Sequence, residues 1–189
     1  MFDNFKEDID RYAFMDGRSW LYHLVMDQGL WALAQYRYIR WVENKARIPL
    51  IYQLLRLVGS VWHKAVQVAT GIDIHESAKI GKGLYIGHFS CIFIAGGVIM
   101  GEYCNISQGV TLGYAGRGDK RGCPTIGDRV YIAAGAKLIG KANIGNDVVI
   151  GANAVVTKDV PDNGVAVGVP ARVISNNGSK DFIHFRHRS

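Results

Sequence analysis

Residues 126–156 read IGDRVYIAAGAKLIGKANIGNDVVIGANAVV, and an aliphatic side chain returns at every sixth position: Ile126, Ile132, Leu138, Ile144, Ile150 and Val156. Upstream, Ile74, Ile80, Ile86, Ile92, Val98, Cys104 and Val110 keep the same interval. The fourth residue after many of these anchors is small or apolar too, as at Ala78, Ser90, Gly96, Val130, Ala136, Ala142, Val148 and Ala154. A period of six matches neither the 3.6 of a helix nor a flat amphipathic strand. It matches a short strand, a corner and a new strand, three of which close one triangular coil. Coils stacked about 4.8 Å apart align the anchors as inward ladders of aliphatic side chains. An ordinary β-sandwich of Val- and Ile-rich strands has no such fixed interval.

Outward from the repeat, residues 71–113 read as the first coils and 126–160 as the last. Pro161, Asp162 and Asn163 make a turn, and 165–174 add a final extended segment. Val110 to Ile126 spans sixteen positions where one strand-to-strand step needs six, so ten additional residues are expected to leave the prism as a loop over 114–125. A long polar loop on a rigid scaffold is a place to look for function. Residues 1–70 read as helical: Trp20, Leu21, Leu24 and Val25, then Leu30, Leu33, Ala34 and Tyr38, recur at intervals of three and four. Pro49 opens a further helix with an apolar stripe of Ile51, Leu54, Leu55, Val58, Val61 and Trp62. Because a thin prism offers few internal surfaces, these stripes are expected at a subunit interface. Residues 175–189, with Asn176, Asn177, Gly178 and Ser179, then Lys180, Arg186 and Arg188, read as a flexible tail. The expected organisation is a helical region over 1–70, a mainly β domain over 71–174 and that tail.

The chain carries 22 Lys and Arg against 16 Asp and Glu, a formal charge of +6. That favours anionic partners such as phosphorylated cofactors or a membrane surface. Nucleic acid is not an expected partner, since there is no basic helix with interleaved base-reading residues. Cys91, Cys104 and Cys123 are odd in number and lack metal-site or disulfide spacing, which fits a reducing cytoplasm. Residues 1–10 are acidic and polar, unlike a signal peptide. The most apolar window, 49–68, contains Gln53, Arg56, His63, Lys64 and Gln67, too many polar groups for a membrane span. A helix lying on a membrane surface remains open.

Assigning anchors in rotation puts Ile86, Cys104, Ile132 and Ile150 on one face of successive coils. The residues two places on, His88, Ile106, Ala134 and Ala152, then form a column along one corner. By the strand spacing the two alanines stand about 10 and 14 Å from His88, leaving a groove for a long thin ligand whose reactive end meets the histidine. An imidazole, with an unperturbed pKa of about 6.5, accepts a proton from a hydroxyl at neutral pH. The other histidines, including His23, His63 and His75, carry no comparable context.

These residues resemble a family. The six-residue repeat, Asp73-Ile74-His75-Glu76-Ser77-Ala78-Lys79-Ile80-Gly81, the position of His88, Gln108-Gly109-Val110-Thr111-Leu112-Gly113 and Gly168-Val169-Pro170-Ala171-Arg172-Val173 are similar to the hexapeptide acyltransferases of the serine acetyltransferase group, over residues 8–174. The resemblance implies a left-handed parallel β-helix, a homotrimer and acetyl-CoA as donor in clefts between subunits, with no metal. Its catalytic histidine falls on His88 and the aspartate that orients it on Asp73, which would stabilise the imidazolium formed in proton transfer. Its contacts to the pantetheine arm fall on Gly113, Tyr114, Ala134 and Ala152. Lys158 and Arg172 are the expected partners of the CoA phosphates, by charge and position.

The acceptor is read from departures. In serine acetyltransferases an acidic residue directly precedes the catalytic histidine, and an Arg-His pair ends the loop before its proline. Here Gly87 and Gly122-Cys123 stand there, and losing charged hydrogen bonds costs about 1.5–3 kcal/mol each. Asp16 is matched to a second acidic serine contact. The Cys-Pro-x-Ile-Gly ending at 123–127 instead resembles saccharide O-acetyltransferases of exopolysaccharide and colanic-acid pathways, with Cys123 lining the acceptor pocket. The expectation is therefore acetyl transfer to a saccharide hydroxyl. Serine O-acetylation is the alternative, a metal-dependent β-helix enzyme or a non-enzymatic scaffold the remoter ones. Two trimers joined through the N-terminal helices are a further expected assembly. The family's C-terminal isoleucine, used to dock a partner sulfhydrylase, is replaced by Arg188-Ser189.

Overall fold

The computed structural model describes residues 2–45 and 48–185. Arg186, Arg188 and Ser189, on which part of the tail expectation rests, lie outside them. Four helices, α1 (Phe2–Asp16), α2 (Trp20–Met26), α3 (Gln28–Lys45) and α4 (Pro49–Thr70), precede the strands. Gly71 ends α4 in the left-handed region, φ 66°, and its N–H caps the Gln67 carbonyl. No helix among the described residues is long and apolar enough to cross a membrane.

The strands form a triangular parallel β-helix. Its first face holds β1 (Ile72–Ile74), β4 (Ile92–Ile94), β7 (Thr111–Gly113), β10 (Lys137–Ile139) and β13 (Val155–Val156). The second holds β2 (Lys79–Ile80), β5 (Ile99–Met100), β8 (Thr125–Ile126) and β11 (Asn143–Ile144). The third holds β3 (Tyr85–Ile86), β6 (Asn105–Ile106), β9 (Tyr131–Ile132), β12 (Val149–Ile150) and β14 (Val165–Gly168), closed by the antiparallel β15 (Ala171–Ser175). Every anchor from Ile74 to Val156 is buried.

The register corrects the sequence reading. Ile86 pairs with Ile106, and Ile106 with Ile132, so Cys104 is not the counterpart of Ile86. Ile74 pairs with Ile94, and Ile94 with Leu112. The anchor ladder thus passes through Ile94, Met100, Ile106 and Leu112, while Ile92, Val98, Cys104 and Val110 belong with Ala78, Leu84, Val130 and Ala136 on the second inward position. Two of the ten additional residues therefore sit between Ile86 and Ile94, and eight remain in the loop after Leu112.

The helices divide by face. Leu30, Leu33 and Tyr36 of α3 join Ile72, Ile74 and Ile86 in one continuous core, so this stripe plugs the open end of the prism and is not an interface. Its fit is polar as well as apolar: the Tyr12 hydroxyl donates to the Ile86 carbonyl and accepts its N–H, both at 3.0 Å. By contrast, Leu50, Leu54, Leu57 and Val61 of α4, with Trp20, Leu21 and Val25 of α2, are exposed on the single chain.

The described part of the tail, 175–185, is also docked, against the expectation of flexibility. Ser179 is buried, its hydroxyl donating to the Arg129 carbonyl at 2.5 Å and its N–H to the Asp147 carbonyl at 2.9 Å. Phe182 packs on Tyr131 and Phe185 stacks on Tyr103, centroids 5.0 and 4.3 Å apart. Polar composition disfavours order only where apolar anchors are missing, and Phe182, Ile183 and Phe185 supply them.

Candidate active site

The two-residue expansion lies where the third face turns into the first, and it carries His88. In the coils below, the corner is Ser107-Gln108-Gly109, then Ala133-Ala134-Gly135, then Gly151-Ala152-Asn153. Their amides interlock: Gly109 N–H donates to Ser90 O at 3.0 Å, Gly135 to Gln108 O at 2.9 Å and Asn153 to Ala134 O at 2.9 Å. Ser90, not His88, is thus the counterpart of Gln108, Ala134 and Ala152. Ile106, placed in this column from the sequence, points into the core. His88 and Phe89 are the extruded pair, exposed beside the small residues of the column. The chain re-enters the prism through two consecutive left-handed residues, Ser90 (φ 92°) and Cys91 (φ 54°). Such conformations on non-glycine residues cost energy and concentrate at functional sites.

Asp73 is placed elsewhere. Mid-strand in β1, it faces outward towards α4, where Oδ2 accepts from Gln67 Nε2 at 2.9 Å and Oδ1 lies 3.2 Å from His63 Nε2. His63 Nδ1 in turn lies 3.2 Å from Gln35 Oε1. Within one chain Asp73 therefore orients His63, and among the described residues no side chain hydrogen-bonds His88. Strand alternation is the reason: Ile72 and Ile74 point inward, so Asp73 must point out onto the helix that precedes it.

Asp16 stands at the end of α1 beside a histidine that the sequence reading passed over. His23, with a side chain 4% exposed, places Nδ1 2.5 Å from Asp27 Oδ2. Its Nε2 lies 3.0 Å from Asp16 Oδ1, an ionic distance without the direction of a hydrogen bond. The Arg18 amide, with smaller help from His23 and Arg18 charge, holds the Asp16 carboxyl below its usual range. Burial, reinforced by the charges of Asp27 and Asp16, pushes the Tyr85 phenol up. A Cβ on Gly87 would stand 3.1 Å from the Tyr85 ring. The spacing of His23 and Asp27, one helical turn apart, was the available signal.

At the loop, Gly113 is buried at the end of β7 and its carbonyl accepts the Gly140 N–H at 3.1 Å. Tyr114 is exposed, with the Arg121 guanidinium 5.5 Å from its ring centroid. Ala115 and Gly122 pair across the loop base. Cys123 is half-buried against the core, and a Cβ on Gly97 would meet its sulfur at 3.0 Å, so packing is its observed role rather than lining an open pocket. Lys158 and Arg172 are brought together at the far end of the prism, lining one cavity of about 260 Å³. No three His, Cys, Asp or Glu side chains among the described residues converge as a metal site.

The stacked coils and extruded histidine define a class, the hexapeptide-repeat transferases. Residues 123–158 match the family model described as bacterial transferase hexapeptide (six repeats). The chain is 36% identical over 187 residues to a serine acetyltransferase of Bacillus pumilus, covering 95% of this chain and 80% of that protein. It is 38% identical over 161 residues to a serine acetyltransferase of Synechococcus elongatus, covering 85% of this chain and 63% of the relative's length. A solved serine acetyltransferase in complex with CoA superposes with a TM-score of 0.76 at 32% identity, covering 91% of this chain and 68% of the other. The chain belongs to the serine acetyltransferase family.

The expected saccharide acceptor is overturned by these relatives, which are serine acetyltransferases over most of this chain, and the exopolysaccharide resemblance finds no support among them. That expectation weighed the position before His88 and the loop end alone. Asp16 at the end of α1 and Asp27 at the C-cap of α2 supply two further carboxylates, both at His23.

Proposed function

We propose that this protein transfers the acetyl group of acetyl-CoA to the hydroxyl of L-serine. What carries the reading is the extruded His88 at the head of a corner of small residues, in a chain whose relatives are named for that reaction. His88 takes the proton of the serine hydroxyl as its oxygen attacks the thioester carbonyl. The tetrahedral oxyanion is met by a backbone N–H at Gly113 or Tyr114. Collapse expels the CoA thiolate, and the imidazolium returns its proton to that sulfur. The pantetheine arm runs past Ala134 and Ala152, and Lys158 and Arg172 hold the phosphates at the far end of the prism. Asp16, with Asp27, faces the serine ammonium.

His88 lacks an orienting partner inside one chain, so its site is proposed to be completed across an interface in a homotrimer. The exposed stripes of α2 and α4 suit the joining of two trimers. The test is CoA thiol release from acetyl-CoA by purified protein, with O-acetylserine identified by mass spectrometry. Release that depends on L-serine supports the proposal; equal release without it, or a preference for saccharides, refutes it.

A further inference from the structure

A second site lies away from the His88 corner. Between the C-terminal half of α3, the first turn of α1 and strands β2 and β5 opens a cavity of about 550 Å³, within the ~300–1,000 Å³ usual for small-ligand pockets. It is larger than those beside Asp73 and Lys158, of about 370 and 260 Å³. Its floor is the second face of the prism, whereas His88 projects from the edge between the third and first faces.

Its lining combines a flat apolar surface with uncompensated charge. The half-buried indole of Trp41 stands with Ile99 and Met100, Ile99 being 44% exposed. Arg40, Lys45 and Lys79 ring them, and no Asp or Glu among the described residues lines the cavity. Arg37, at the base, is committed to Asp8 and to the carbonyls of Ile80 and Gly81, so it adds no net charge. Arg40 makes only a 3.4 Å contact with the Glu76 carbonyl, and Lys45 and Lys79 form no ion pair among the described residues. By contrast, Arg56 of α4 is neutralised by Glu43 and Glu76. Three like charges gathered round a half-exposed aromatic ring raise the local anion concentration.

We propose that this groove binds a nucleoside polyphosphate, the base stacking on Trp41 and the phosphates held by Arg40, Lys45 and Lys79. Base–aromatic stacking tolerates any base, and guanidinium and ammonium groups are the usual phosphate partners. The inference is independent of serine acetylation, and the donor site is kept apart by the choice of variants.

The experiment is calorimetric titration of the full chain with ATP and with inorganic tripolyphosphate. It is repeated on Lys45→Ala/Lys79→Ala, on Trp41→Leu and on Lys158→Ala/Arg172→Ala, with melting curves confirming that each folds. Expected are equal ATP affinity for the wild type and Lys158→Ala/Arg172→Ala, and losses of about tenfold or more in the two groove variants. Tripolyphosphate is expected to bind about tenfold more weakly than ATP. No ATP binding overturns the proposal, as does a loss confined to Lys158→Ala/Arg172→Ala, which would place ATP in the donor site. Tripolyphosphate matching ATP, with Trp41→Leu unaffected, overturns it too. Serine acetylation measured on the same preparations separates failure of this site from failure of the acetyl-transfer reading.

Discussion

Replacing Asp8 with Ala is expected to destabilise the fold by about 3–5 kcal/mol, the cost of stranding a buried charge. Asp8 is fully buried and the Arg37 side chain is 4% exposed. Arg37 Nε donates to Asp8 Oδ2 at 2.9 Å and Nη2 to Oδ1 at 3.2 Å, and the Leu84 N–H donates to Oδ1 at 3.1 Å. Arg37 also reaches the Ile80 and Gly81 carbonyls at 2.7 and 2.5 Å, so one side chain from α1 and one from α3 grip the first coil. Removing the carboxylate leaves the guanidinium without its counter-charge, and Arg37 Nε and the Leu84 N–H without their acceptors.

The pair itself contributes far less than its rupture costs. Burial pushes the Asp8 carboxyl up from 3.8, and Arg37 and the hydrogen bonds only partly pull it back. Asp8→Leu with Arg37→Met is therefore expected to be less destabilised than Asp8→Ala, because it strands no buried charge, although the Ile80 and Gly81 carbonyls and the Leu84 N–H lose their partners. The sign with pH follows. A raised folded-state pKa means that the folded chain holds the proton more tightly, so this contribution is fully present below 3.8 and is lost as pH rises through the folded value. Asp8→Ala should lack that component. Urea unfolding at fixed protein concentration, followed by helical circular dichroism across pH, measures both. A loss under about 1 kcal/mol in Asp8→Ala, or a double variant as unstable as the single one, refutes the reasoning.

At the proposed active site, His88→Ala is expected to lower kcat about 10²–10⁴-fold in serine-dependent CoA release while the melting temperature stays unchanged, since the side chain is exposed. Retained turnover would remove His88 from the reaction. Lys158→Ala/Arg172→Ala should raise KM for acetyl-CoA by about tenfold or more with little change in kcat; an unchanged KM would place the phosphates elsewhere.

The candidate site residues were legible as candidates because they punctuate a regular text. His88 stood out as a polar residue beside a ladder of anchors, and Lys158 and Arg172, from distant stretches, do line one cavity. Within one chain Asp73 meets His63 and Gln67 of α4, a contact that depends on a helix packing angle no local pattern encodes. Asp27 meets His23 through an i,i+4 spacing, whereas Asp16 is brought to it only by the junction of α1 with α2.

The six-residue interval alone determined the triangular parallel coil, its inward ladders and the presence of a loop, because side-chain direction in a strand is set by local geometry. The place of the two-residue expansion was decided only by the fold. Strand side chains alternate with period two, so a one-residue slip reverses every face whereas a two-residue slip preserves inside and outside and leaves the hydrophobic pattern unbroken. Hydrogen bonding between coils decided that Ile94, not Ile92, stacks under Ile74, and that His88 leaves the prism as a bulge. The docking of the tail and the plugging of the prism by α3 were likewise decided by tertiary contacts, since burial there depends on surfaces distant in the chain.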